Sequence, residues 1–106
     1  MNENPIKSEQ TALLLRALLA LETPEEAAAF LEDLCTIPEI KSLAQRLAVA
    51  SRLRAGDRYQ DIATLTGAST ATISRVNRAL TYGADGYRRV LERLEASETE
   101  KREGEE

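Results

Sequence analysis

The 106-residue chain has no histidine and no tryptophan, one cysteine and one phenylalanine. Without histidine it lacks the commonest general base and the commonest metal ligand. A single cysteine can neither close an internal disulfide nor supply a thiolate zinc site, which fits a reducing compartment. Valine and isoleucine number three and five against 16 alanines and 15 leucines, a balance that excludes a sheet protein and favours helices. Long apolar runs are also missing. Residues 13–21 are the nearest to one, and Arg16 interrupts them. A membrane-spanning helix needs roughly 20 apolar residues, and no basic segment precedes this run as an export signal would require. The expectation is a soluble, cytoplasmic chain without membrane partner, metal or cofactor. It is not expected to be an enzyme. Cys35 has no obvious base beside it, and the acids gather at helix starts, where capping and dipole roles explain them.

The formal net charge is −4, which on its face argues against a nucleic-acid partner. Its distribution reverses that impression. Residues 1–40 carry two basic side chains against eight acidic ones, a local balance of −6. Residues 41–94 carry ten basic against four acidic, +6, and residues 95–106 two against six, −4. A basic middle between acidic ends is more informative than the total.

Helix punctuation is clear along the chain. Residues 1–7 read as a flexible arm, and Ser8 is placed to cap a helix reaching about residue 21. That helix is apolar almost all round, from Ala12 to Leu15 and from Ala17 to Leu21, so it must be covered on more than one side. So short a chain has little core to do this, which points to a subunit interface. Thr23-Pro24-Glu25-Glu26 opens a second helix with Ala27, Phe30, Leu31 and Leu34 on one face. Thr36-Ile37-Pro38-Glu39 opens a third, with Ile40, Leu43, Leu47 and Ala50 in one stripe and Gly56 as its stop. A short helix, a turn at Gly67, a longer helix from about Thr70 and a last helix after Asp85 complete an all-α chain of about six helices. Residues 8–95 form the folded domain, and 96–106 read as an acidic disordered tail, since residues 97–106 contain no apolar side chain.

The segment 59–80 has the layout of a helix-turn-helix, with its reading head at about 57–82. Ala63 is the small residue at the helix crossing. Four residues on, Gly67 permits a left-handed turn without a Cβ penalty. Ile62, Leu65, Ala68, Ile73 and Val76 are spaced to fill the wedge, and Ser69 can cap the second helix. Thr70, Ala71, Thr72 and Ser74 then lie near that helix's exposed start, where hydroxyls and methyls can meet base edges. Arg75 and Arg78 follow one turn later for phosphate or guanine, and Gln60 stands at the start of the first helix. These seven residues are the candidate contacts to double-stranded DNA. The competing reading is a helical protein-interaction module that keeps the shape without specific DNA binding.

Three segments together resemble the Trp repressor family over roughly residues 27–94. Phe30-Leu-Glu-Asp-Leu-Cys-Thr-Ile-Pro-Glu39 resembles the family's second helix and the turn after it. Arg46-Leu-Ala-Val-Ala-Ser-Arg-Leu-Arg-Ala-Gly56 resembles the third helix, and Ala71-Thr-Ile-Ser-Arg75 the recognition core. The resemblance implies an intertwined homodimer that regulates transcription, most simply as a repressor, with two reading helices about 34 Å apart. It also implies an anion-binding pair, since Arg46 and Arg75 match the arginines that embrace the family's amino-acid ligand. The rest of that pocket departs from the pattern: Val76 replaces a Gly that makes room for the indole, and Ala79 a small hydroxyl residue. Tryptophan is therefore not the expected effector, although another small anion would fit the arginine pair. The branch of Trp-repressor-like bacterial proteins is the better match.

Overall fold

The computed structural model describes residues 8–105, and the side chains of residues 8–101. The arm expected at 1–7 lies outside the described residues. Six helices follow in order: α1 (Glu9–Ala20), α2 (Pro24–Leu34), α3 (Ile37–Arg54), α4 (Tyr59–Thr66), α5 (Thr70–Tyr82) and α6 (Gly86–Glu105). No strand occurs among the described residues. The chain divides into two compact units, one ending at Ile40 and the other beginning at Lys41.

The first unit is built on helix starts that satisfy their own orphan N–H groups. Ser8 Oγ accepts from the Thr11 amide at 3.1 Å. Thr23 Oγ1 accepts from the Glu26 amide, and the Glu26 carboxylate accepts in turn from the Glu22 amide. At Thr36 the capping box is reciprocal: Thr36 Oγ1 accepts from the Glu39 amide at 3.2 Å, and Glu39 Oε1 accepts from the Thr36 amide at 2.8 Å. The backbone hydrogen bond from Thr36, followed by that from its hydroxyl, holds the Glu39 carboxyl below the usual range. Despite these caps, neither α1 nor α2 buries a single residue. Leu13, Leu14, Leu15, Leu18 and Leu19 are all exposed, Leu19 at 88%.

The second unit encloses the core. Val49 and Ala50 from α3, Ile62 from α4, Ala68 from the turn, Ile73 and Val76 from α5, and Leu91 from α6 are buried together. Leu53, Ala63, Leu80 and Tyr87 pack around them. Full burial of a Val or Ile side chain contributes about 1.5–3 kcal/mol, so four such residues supply much of the drive to fold this unit. Leu65 does not join the wedge and stands 60% exposed. The inward arc of α4 runs from Ile62 through Thr66 to Ala63, and Leu65 falls beyond Ile62 on its other side, which turns it outward.

Helix α3 ends in a Schellman motif: the Gly56 amide donates to the Leu53 carbonyl and the Asp57 amide to the Arg52 carbonyl, both at 3.1 Å. Gly56 sits at φ 87°, where a Cβ is disfavoured. An Arg52–Asp57 ion pair at 3.5 Å spans the same turn.

The tail expected to be disordered from residue 96 is instead helical, since α6 continues to Glu105. Its lack of apolar residues rules out packing but not helix propagation, which adds one hydrogen bond for each residue fixed once a nucleus exists. The nucleus is anchored by Leu91 in the core and by Arg54, which makes two bonds of 3.3–3.4 Å to the Glu95 carboxylate. Alanine, glutamate and lysine then favour extension.

Candidate nucleic-acid interface

The turn between α4 and α5 is fixed by a few local bonds. Gly67 lies at φ 75°, and its amide donates to the Ala63 carbonyl at 2.9 Å. Thr66 Oγ1 donates to the Ile62 carbonyl at 2.7 Å and accepts from the Ala68 amide at 3.2 Å. From α3, Gln45 Nε2 donates to the Thr66 carbonyl at 3.2 Å and ties the turn down. Ser69 then caps α5, accepting from the Thr72 amide. With the turn held at both ends, the direction of α5 is set by the core beneath it.

One side of α5 carries Ile73, Val76 and the half-buried Leu80 into that core. Residues 71, 75, 78 and 82 recur at intervals of four, three and four, so Ala71, Arg75, Arg78 and Tyr82 form one stripe diametrically opposite. All four are exposed. Thr70 and Ser74 are exposed on one flank of the stripe. Thr72 lies on the other flank, half-buried, and its Oγ1 accepts from the Ser69 hydroxyl at 3.1 Å. That leaves its own hydroxyl hydrogen to donate outward. Gln60 is exposed on the first turn of α4.

Charge sharpens the difference between this stripe and the rest of the unit. Arg52, Arg54, Arg58, Arg88 and Arg89 all form ion pairs with Asp57, Glu95, Asp61, Asp85 or Glu92. Arg75 and Arg78 form none with the described residues, and α5 contains no acid. Arg88 is held by Asp85 and Glu92 together, which raises its pKa; the bond from Arg88 correspondingly holds the Asp85 carboxyl below its usual range. Lys41, Arg46, Arg93 and Lys101 also form no ion pair with the described residues, but Arg75 and Arg78 are the two that share one exposed face of an acid-free helix.

Arg46, on α3, is half-buried and also lacks an ion pair with the described residues. Val76, standing where the family has Gly, is 1% exposed within the core. Nearby, Leu47, Ala79, Ala84, Gly86, Tyr87 and Val90 line an apolar groove of about 460 Å³ open to solvent. Sequence reasoning stops at Arg78 and misses Tyr82, although a residue four positions beyond Arg78 necessarily shares its face.

Comparison with known proteins agrees with this architecture. The chain is 50% identical over 100 residues to the uncharacterized protein YerC of Bacillus subtilis (strain 168), covering 94% of this chain and 96% of that protein. The crystal structure of a TrpR-like protein from Eubacterium eligens ATCC 27750 superposes with a TM-score of 0.83 at 56% identity, over 87% of this chain and 95% of the other. A Staphylococcus aureus structure assigned provisionally to the Trp repressors gives 0.82 at 44% identity, over 88% and 96%. The sequence model for Trp repressor protein matches residues 9–95. With its helix-turn-helix, its free arginines and this match across most of its length, the chain belongs to the Trp repressor family.

Proposed function

We propose that the protein is a homodimeric, sequence-specific regulator of transcription that binds double-stranded DNA through α5, acting as a repressor. The observation carrying this reading is the pair of unpaired arginines, Arg75 and Arg78, on an acid-free exposed face. A surface that leaves cations unneutralised while pairing five neighbouring arginines is suited to an external polyanion. Arg75 and Arg78 reach phosphates or guanine edges, Ala71 offers a methyl to thymine, and Thr70, Thr72 and Ser74 offer hydroxyls. Dimerisation is supported by the exposed leucines of α1 and by the apolar groove beside Leu47 and Val90. Both would be covered by a second copy of the chain.

Tryptophan is not the effector in this reading, because the branched side chain of Val76 occupies the position that the indole requires. Arg46 and Arg75, both without an ion pair among the described residues, remain open to a different small anion.

Binding to genomic duplexes at about 50 and 200 mM salt tests the proposal. Arg75→Ala and Arg78→Ala are expected to weaken binding and to lower the salt slope by about one for each phosphate that is no longer neutralised. Thr72→Ala is expected to change preference among sequences, and added tryptophan to leave affinity unchanged. A folded dimer that shows only non-specific affinity overturns the proposal in favour of the protein-interaction module.

A further inference from the structure

Tyr82 is the most exposed of the aromatic residues, at 84%. It is the last residue of α5, and the chain leaves the helix immediately after it. The Gly83 amide closes the final turn on the Ala79 carbonyl at 2.9 Å, and a Cβ at Gly83 would collide with that carbonyl oxygen. The ring is therefore carried on a fixed helix end with little protein over it. It also continues the stripe of Ala71, Arg75 and Arg78.

Tyr82 lies eleven positions beyond Ala71, about 16 Å along the helix axis. At 3.4 Å for each step of a strand, that length matches about five base pairs. When residues at the start of α5 meet base edges, the far end of the same face approaches the groove's rim, where phosphates lie. Asp85, the acid nearest to Tyr82 along the following chain, is already neutralised by Arg88 and Arg89. No acid on α5 itself opposes a phosphate there.

We propose that Tyr82 is a further DNA-contacting residue, donating its phenolic hydrogen to a backbone phosphate at the edge of the groove read by α5. The inference rests on the DNA-binding reading and adds a neutral anchor to the two charged ones. A neutral donor displaces no condensed cation, so its signature differs from that of an arginine.

The test compares Tyr82→Phe, Tyr82→Ala and Arg78→Ala with the unaltered full chain on one specific duplex across a salt series. The two Tyr82 variants are expected to bind equally weakly, about fivefold below the parent for each reading helix engaged, the scale of one hydrogen bond. Their salt slope and sequence preference should match the parent's, whereas Arg78→Ala lowers the slope. A neutral methylphosphonate at the contacted position should weaken the parent and leave Tyr82→Phe unaffected. Parent-like binding by Tyr82→Phe overturns the hydroxyl contact, and a changed sequence preference in Tyr82→Ala overturns the phosphate assignment. If Arg78→Ala weakens binding while Tyr82→Phe does not, this inference alone falls. If the parent binds no duplex specifically, the DNA-binding reading falls with it.

Discussion

The two units use similar helix signals and reach different ends. The first, to Ile40, caps its helix starts with Ser8, Thr23 and Thr36, yet α1 and α2 bury nothing. The second, from Lys41, closes a core across four helices and leaves its reading face exposed. The first is acidic by −6 and the stretch 41–94 is basic by +6. Capping makes a helix, whereas a core requires apolar residues from several helices to converge. A unit with good caps and exposed leucines leaves its apolar surface uncovered, which is what the proposed dimer would bury. The unit with the core can hold a charged helix rigidly toward a ligand.

Truncating the core should bring the largest loss. Ile73→Ala or Ile62→Ala is expected to cost about 2–5 kcal/mol in denaturant unfolding, because each side chain is fully buried. A charge on α1 should act on association instead: Leu15→Glu with Leu19→Glu is expected to weaken the proposed dimer about 100-fold or more, about 2.7 kcal/mol, by sedimentation. The same pair should leave the helical circular dichroism of the second unit in place. If association is unchanged, the contrast between the units loses its meaning.

Gly67→Ala isolates backbone strain within the second unit. Its Cβ would meet only Gln45 Nε2 at 3.8 Å, an ordinary contact, so the positive φ alone should set a cost of about 1–2 kcal/mol. The smallest effect concerns pH. Asp85, with its carboxyl pulled down chiefly by the Arg88 hydrogen bond, contributes stability above its unfolded pKa, about 4, and loses it as pH falls through the lower folded value. The thermal midpoint of Asp85→Asn should therefore differ most from the parent's near neutrality, with the gap narrowing below about pH 4.

Much of the reading head is legible in the sequence. Ala63, Gly67 and Ser69 announce a crossing, a turn and a cap through their sizes and spacing, and each acts through partners a few residues away. Leu65 is misplaced by the same pattern, which cannot say which arc of a two-turn helix will face inward. The tail is misread for a related reason: polarity indicates whether a segment can be buried, not whether an anchored helix will continue through it. Tyr82 is within reach of simple periodicity, but its exposure depends on where the core ends.

The sequence by itself determined the helices, their caps, the helix-turn-helix spacing and the basic middle, because these rest on hydrogen bonds and charges within a few residues. Arg52, Arg58, Arg88 and Arg89 likewise meet acids three to five positions away, but only the tertiary structure decided that Arg54 is neutralised and that no distant acid reaches Arg75 or Arg78 among the described residues. Arg54 finds Glu95 across 41 positions, while Arg75 and Arg78, on the side of α5 opposite Ile73 and Val76, find no acid among the described residues. Spacing settles what a residue can do with its neighbours along the chain. Packing settles which distant residues become neighbours.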